Sequence, residues 1–281
     1  MGGSTNIPQI DKRIALWLET VPLVLDKLQV KHVSVVTHSA GAIYALNTIY
    51  HLRHILHPQR PYAAFMAPWV HNSHSNAALM NAAAMLPNSV MNQWTNLNTF
   101  IAGKIMPATS WSGGVVSSVA NLFQSPENAE TSTKKLAEKY GVDGETAKNI
   151  EKLQGKFSLA EDRQAGTDDA KLCLKKGLPG AWMACEDYEE YVRSLLALEQ
   201  ERPRDDQASK LKIDTFFAES DMMIGSGGAA YFERCFGEPG VSEHIDFHSH
   251  HLPDTNHETV ITDFEKGAFR AILNKVKLYS A

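Results

Sequence analysis

The chain has 281 residues, a formal net charge of −5, 43% hydrophobic residues and 21% charged residues. That length fits one large domain or a domain carrying a sizeable insertion, and the composition is that of an ordinary globular protein. The acidic balance excludes the basic footprint of a nucleic-acid binder.

The opening "MGGSTNIPQI" has no apolar core of a signal peptide. Its Gly2 invites a myristoylation reading, but the required Ser or Thr is replaced by Asn6. A cytoplasmic location is the default expectation. Residues 9–28 repeat apolar side chains at Ile14, Trp17, Leu18, Val21, Leu25 and Leu28, which predicts a helix with one buried face. Asp11 is its candidate cap, and Pro22 is placed to kink it. Next, "HVSVV" is an apolar run short enough for a buried parallel strand. After Gly41, Ile43, Leu46, Ile49 and Tyr50 restart a helical period.

A second strand is predicted over Pro61–Pro68, a third over Leu211–Ser220 and a fourth over Glu243–His250. A last helix over about 258–278 carries Val260, Phe264, Phe269, Ile272 and Val276. Strand alternating with helix argues for an α/β protein with a parallel sheet. The long stretch between the second and third strands is too long for a bare loop. Its first part is rich in Ala, Met, Asn and Ser, and its second part is charged and amphipathic. We expect a sheet core at 9–68 and 211–281 and an inserted helical cap at 69–210. The stretch "AALMNAAAMLPNSVM" is interrupted by Asn81, Pro87 and Asn88 and is too short to span a membrane. Cys173, Cys185 and Cys235 form no CxxC pair, so a disulfide framework is not expected.

Chemistry is concentrated in "VVTHSAG". Ser-x-Gly recurs at Ser112 and Ser226, but only Ser39 follows an apolar strand and opens a long apolar helix. A sharp strand-to-helix turn needs small neighbours, and Ala40 and Gly41 supply them. The first small residue of the usual G-x-S-x-G is Thr37 here, which adds a branch at a tight place. Such a turn aims the serine at a helix N-terminus, where the N–H of Ala40 could receive an oxyanion. The plain alternative is a serine that closes a strand, and Ser39 alone does not separate the two.

A serine hydroxyl needs a base, and the base needs an orienting group. Asp221 lies just past the third strand, in "AESDMMIG", where open α/β sheets place functional residues. His257 lies past the fourth, in "LPDTNHETV", just before the last helix. Glu219 and Asp254 are the fallback acids, and His251 is the rival base. Each of these has a plain reading as a turn, capping or surface residue. "HSHHLPD" would match a dinuclear metal motif only with an acid at Leu252 and a histidine at Pro253, so no metal site is expected. "GSGG" at 225–228 lacks a phosphate-loop lysine and is read as a loop.

With THSAG as elbow and the chain order Ser39, Asp221, His257, the chain from about residue 10 resembles the C-terminal two-thirds of an α/β-hydrolase fold protein. The resemblance implies Ser39 as nucleophile, His257 as base, Asp221 as its partner and a cap after the strand that follows the elbow helix. It implies hydrolysis of an ester or related acyl bond with no cofactor. Acyl transfer on the same residues, or a non-catalytic binding or regulatory relative, are the alternatives. Leu79, Met80, Met85, Leu86, Met91, Trp94 and Phe100 either favour a hydrophobic acyl or alcohol group or simply pack the cap.

The resembled family runs several strands before its nucleophile, whereas only about 30 residues precede the strand here. We therefore expect the second half of a sheet, about four strands, in a truncated form. Its first strand would be an open edge available for self-association, and the second oxyanion donor would be missing.

Overall fold

The computed structural model describes residues 9–87, 137, 141–146, 149–150, 153, 164–176, 178–202 and 209–280. The chain divides into two compact units, one of Met1–Asn88 with Asp168–Ala281 and one of Ser89–Thr167. Residues 168–202, expected in the cap, thus fall with the sheet. In the second unit, Asp143 accepts hydrogen bonds from the backbone and hydroxyl of Thr146.

Helix α1 (Arg13–Lys27) continues through Pro22. Asp11 does not cap it; that residue lies in a 3-10 turn, Ile10–Lys12, that leads in. The predicted apolar face is present, with Ile14 fully buried and Trp17 packed edge-on against Tyr44. A second apolar stretch, spaced i, i+7 and i+8, was not expected: Leu16, Leu23 and Val24 lie along it, with Leu23 70% exposed, and Leu28, expected on the buried face, is 64% exposed at the end of the helix.

Strand β1 (Val35–His38) starts later than the predicted run, although Val33 makes an isolated parallel bridge to Leu56. Helix α2 (Gly41–His51) buries Ile43, Leu46 and Ile49, and β2 (Tyr62–Met66) is buried at every residue. The short α3 (Asn72–Ser75) and α4 (Ala78–Met85) follow. Then come α5 (Gln164–Cys173) and α6 (Tyr188–Glu201), the latter capped by Asp187, which accepts from Glu190 N–H. Strand β3 (Leu211–Ser220) has its predicted bounds.

Helix α7 (Gly225–Phe236) corrects the loop reading of "GSGG". The glycines open a helix because backbone from α3 crosses them. A Cβ on Gly225 would fall 2.2 Å from Ser75 O, and one on Gly227 would fall 2.8 Å from His74 O. After α8 (Val241–His244), β4 (Ile245–Asn256) runs further than predicted, past an irregularity opposite Ala218–Ser220. The predicted last helix is two helices, α9 (Thr259–Thr262) and α10 (Phe269–Ser280). The chain turns at Gly267, where a Cβ would fall 2.4 Å from Asp263 O.

The four strands form one parallel sheet in the order β1-β2-β3-β4. One face packs Phe65, Phe217 and Phe247 onto Phe232 and Phe236 of α7. On the other, Tyr62 and Lys275 both donate to the buried Asp214. The fold is thus α/β-hydrolase-like: a parallel sheet whose strand ends carry a strand-to-helix elbow and two short turns into helices. Val33 donates its N–H to Ile55 and Ser39 to Met66. Odd residues of β1 therefore face β2, and Val36 and His38 turn their backbone groups to the outer edge. Among the described residues that edge is unpaired, as expected. No described helix is long and apolar enough to cross a membrane.

Candidate active site

Ser39 takes φ of +53°, a left-handed conformation that an L-serine adopts at a cost. Three backbone hydrogen bonds hold it there. Its N–H donates to Met66 O at 3.0 Å, and its carbonyl accepts from Ala42 at 2.9 Å and Trp69 at 3.1 Å. Local preference opposes this geometry, and the sheet and the helix start enforce it. Gly41 is required beside it: a Cβ there would fall 2.1 Å from Thr37 Oγ1, so the branch that Thr37 adds is absorbed by the missing side chain at 41. Ala40 stands at the N-cap of α2, next to Ser39, where helix N–H groups have no intrahelical partner.

Asp221 follows directly on β3. Its Oδ1 accepts from the backbone N–H groups of Met223 and Ile224, both at 2.8 Å, which fixes the carboxylate before the start of α7. Its Oδ2 lies 2.8 Å from His257 Nδ1. Burial works against charge on this carboxyl. The hydrogen bond and charge of His257, with the two N–H groups, outweigh it and hold the pKa below the ordinary value. Asp221 is therefore ionised at neutral pH.

His257 follows directly on β4, and is only 6% exposed. The preceding Asn256 accepts from the N–H groups of Glu258 and Thr259 and donates its own N–H to Thr259 Oγ1, so the turn is tied at both ends. Because an ionised carboxylate only accepts, the hydrogen of His257 sits on Nδ1. The lone pair on Nε2 then faces Ser39 Oγ, 2.9 Å away. Serine, imidazole and carboxylate form one chain of hydrogen bonds drawn from the ends of three strands. Such an arrangement can move a proton off a hydroxyl and stabilise the resulting imidazolium.

The rival residues are engaged elsewhere. Glu219 accepts from Asp254 N–H, and Asp254 pairs with Lys266. His251 lies 2.7 Å from Glu233 and is largely exposed. His248 pairs with Asp246 at 2.8 Å, and His250, on the same face of β4, stacks on Phe216. A cavity of about 400 Å³ is lined by Asp221 with Phe217, Glu219, Ile224, Glu233 and His251 among others.

Of the apolar residues expected at a substrate group, Met80 is buried, Leu86 half-buried and Met85 exposed. Met91, Trp94, Phe100 and the side chain of Leu79 lie outside the described residues. One neighbour was missed. His38 places Nε2 2.8 Å from the His257 carbonyl oxygen. Its position between the strand and Ser39 was the only sequence signal for it.

Comparison of the sequence with protein-family models finds no match, and neither does comparison with curated proteins. Solved structures do match. They include a meta-cleavage product hydrolase from Pseudomonas fluorescens IP01, at 11% identity over 95% of this chain and 72% of that one, TM-score 0.46. Carboxylesterases of Nitrososphaera gargenis match at 10% identity over 100% and 78%, TM-score 0.47. Epoxide hydrolases of the alpha/beta hydrolases superfamily, from metagenomes of hot environments, match at 14% identity over 99% and 77%, TM-score 0.38. Likeness at these levels carries nothing about the chemistry of this chain.

Proposed function

We propose that this α/β-hydrolase-like chain is a serine hydrolase that cleaves an ester or related acyl bond. The observation that carries the reading is the strained Ser39, its Oγ 2.9 Å from an imidazole that an ionised carboxylate orients at 2.8 Å. Ser39 Oγ attacks the acyl carbonyl as His257 Nε2 takes its proton. Asp221 keeps the imidazole in the Nδ1–H tautomer and balances its transient charge. The N–H of Ala40 receives the oxyanion at the head of α2. His257 then returns the proton to the leaving alkoxide, and a water molecule, deprotonated by the same imidazole, releases the acid and restores Ser39.

A serine nucleophile makes an acyl-enzyme with carbonyl substrates, which sets this reading apart from carboxylate-nucleophile chemistry on the same fold.

A fluorophosphonate probe tests the reading, because it reacts with an activated serine whatever the natural substrate. Wild-type protein labels, and Ser39→Ala and His257→Ala do not. A folded wild type that resists labelling overturns the proposal in favour of a non-catalytic binding protein.

A further inference from the structure

The elements that carry Ser39 and His257 are not neighbours in the sheet. β1 and β4 are its two outer strands, so no ladder of backbone hydrogen bonds sets the turn at His257 against the elbow. Three strand spacings separate them, roughly 14 Å. A base placed by its own side chain alone would inherit the play of the β4 turn and of the outer strand β1 together.

His38 crosses this gap at the level of the backbone. It is the last residue of β1 and the immediate predecessor of Ser39. Its Nε2 lies 2.8 Å from the carbonyl oxygen of His257, and its ring centroid 4.8 Å from that of His257, tilted by 49°. A carbonyl oxygen only accepts, so the hydrogen of His38 is on Nε2. We infer that His38 is a positioning residue: its Nε2–H holds the main chain of His257 so that the imidazole stays within hydrogen-bond reach of Ser39 Oγ. The inference rests on the reading of Ser39 and His257 as nucleophile and base.

The geometry makes the tie specific to those two residues. Donor and nucleophile are consecutive, so any displacement of the β1 edge carries both and drags the His257 backbone with them. The ring is also electrically quiet. Burial, and then the charge of His257, hold His38 below the ordinary imidazole value, against its own hydrogen bond to the His257 carbonyl and the opposing pull of Glu258 and Asp221. It is therefore neutral beside an imidazole that becomes charged in the reaction, and adds no competing cation. His38 is not itself the base, since its Nε2–H is committed to the carbonyl and not to Ser39.

Two variants separate donation from bulk. His38→Leu removes the donor. His38→Gln keeps an N–H at about the same reach from the backbone. The readouts are the fluorophosphonate labelling rate, kcat and KM on p-nitrophenyl butyrate, and the NMR spectrum of histidine ring nitrogens and their hydrogens. We expect His38→Leu to label and turn over roughly 10- to 100-fold more slowly with KM unchanged, as for a misplacement of up to about 1 Å. His38→Gln recovers most of that loss. The downfield His257 Nδ1–H signal is sharp in wild type and His38→Gln and broadened in His38→Leu. A folded His38→Leu that labels at the wild-type rate overturns the inference, as does a His38→Gln that falls equally far.

Should wild type itself fail to label, the serine hydrolase reading falls on its own, and the spectrum still decides the tie. A neutral His38 protonated at Nε2, with a His257 signal that depends on it, supports the tie; protonation at Nδ1 alone overturns it. Should His38→Leu not fold, His38→Asn takes its place: its amide is one methylene too short, so rate loss in Asn with recovery in Gln supports the tie, and equal rates overturn it.

Discussion

Gly41→Ala is the change the elbow can least absorb. The new Cβ would lie 2.1 Å from Thr37 Oγ1 but 3.4 Å from Thr37 Cβ, so the whole clash comes from one oxygen atom. Thr37 is paired with Phe65 in the sheet and cannot slide away along β1. Either its side chain rotates or the first turn of α2 lifts off the strand. Overpacking of this kind costs about 1–3 kcal/mol, partly offset by up to ~1 kcal/mol from the better helix propensity of alanine. Any lift also moves Ser39, because its carbonyl accepts from Ala42 in that same turn. Labelling by a fluorophosphonate should then fall, by roughly 10²-fold for a 1 Å displacement. Thr37→Ala removes the offending oxygen, so in that background Gly41→Ala should cost at least about 1 kcal/mol less than in wild type. Urea midpoints of the four proteins, at constant m, measure that coupling, and labelling rates report Ser39 itself. Strict additivity of the two substitutions refutes the contact and with it this account of why glycine stands at 41.

Asp221→Asn should lower labelling by about 10³–10⁴-fold by removing the acceptor that holds the Nδ1–H tautomer; retention of near wild-type labelling would assign the acid elsewhere. Folding lowers the Asp221 pKa, so its ionised form stabilises the protein above about pH 4, and that contribution vanishes as pH falls through the lowered value. The stability gap between wild type and Asp221→Asn should therefore shrink on acidification, and a gap constant down to pH 2 contradicts the assignment. Gly225→Ala sets a Cβ 2.2 Å from the Ser75 backbone at φ +66° and should destabilise by about 1–3 kcal/mol, whereas Gly144→Ala, whose Cβ meets none of the described residues, should be neutral within about 0.5 kcal/mol in the same thermal melts. Association through the β1 edge and the second apolar stretch of α1 should make sedimentation concentration-dependent and shift toward monomer in Leu23→Glu with Val36→Lys; identical behaviour of both proteins at all concentrations counts against it.

The parallel sheet was legible because its strands are short apolar runs separated by helical periods, signals that are local by nature. β3 reads so clearly that its bounds coincide with the run of Leu211–Ser220. β4 reads poorly past His250, where Pro253 and Asp254 end any apolar pattern, yet pairing with β3 carries the chain on to Asn256. "GSGG" misled because the partner that demands small residues there, the backbone of His74–Ser75, lies about 150 residues away. A helical period also spans the turn at Gly267, so the break between α9 and α10 left no mark in spacing. The second stretch on α1 was written in the sequence, at Leu16, Leu23 and Val24, but only one apolar stripe was expected of the helix.

The candidate site divides along the same line. Ser39 is legible from its neighbours, since strand, small residues and helix are consecutive. The choice of Asp221 over Glu219, and of His257 over His251, follows from their places beyond the strand ends, with His257 just before a helix; what separates them in space is that Glu219 and His251 find other partners. His38 could not be read at all, because its acceptor is a backbone atom more than two hundred residues further on. What joins Ser39, Asp221 and His257 is that backbone hydrogen bonds fix each of them, with strain at Ser39. A left-handed serine gains nothing for local structure, yet Met66, Ala42 and Trp69 all bind its backbone where it is. Two N–H groups likewise aim Asp221, and Asn256 ties the turn that presents His257. A serine that merely closed a strand would relax to negative φ and need none of this. Strain enforced by two segments, the end of β2 with the residues after it and the first turn of α2, at the point where an oriented imidazole meets a hydroxyl, is the physical ground for reading chemistry here.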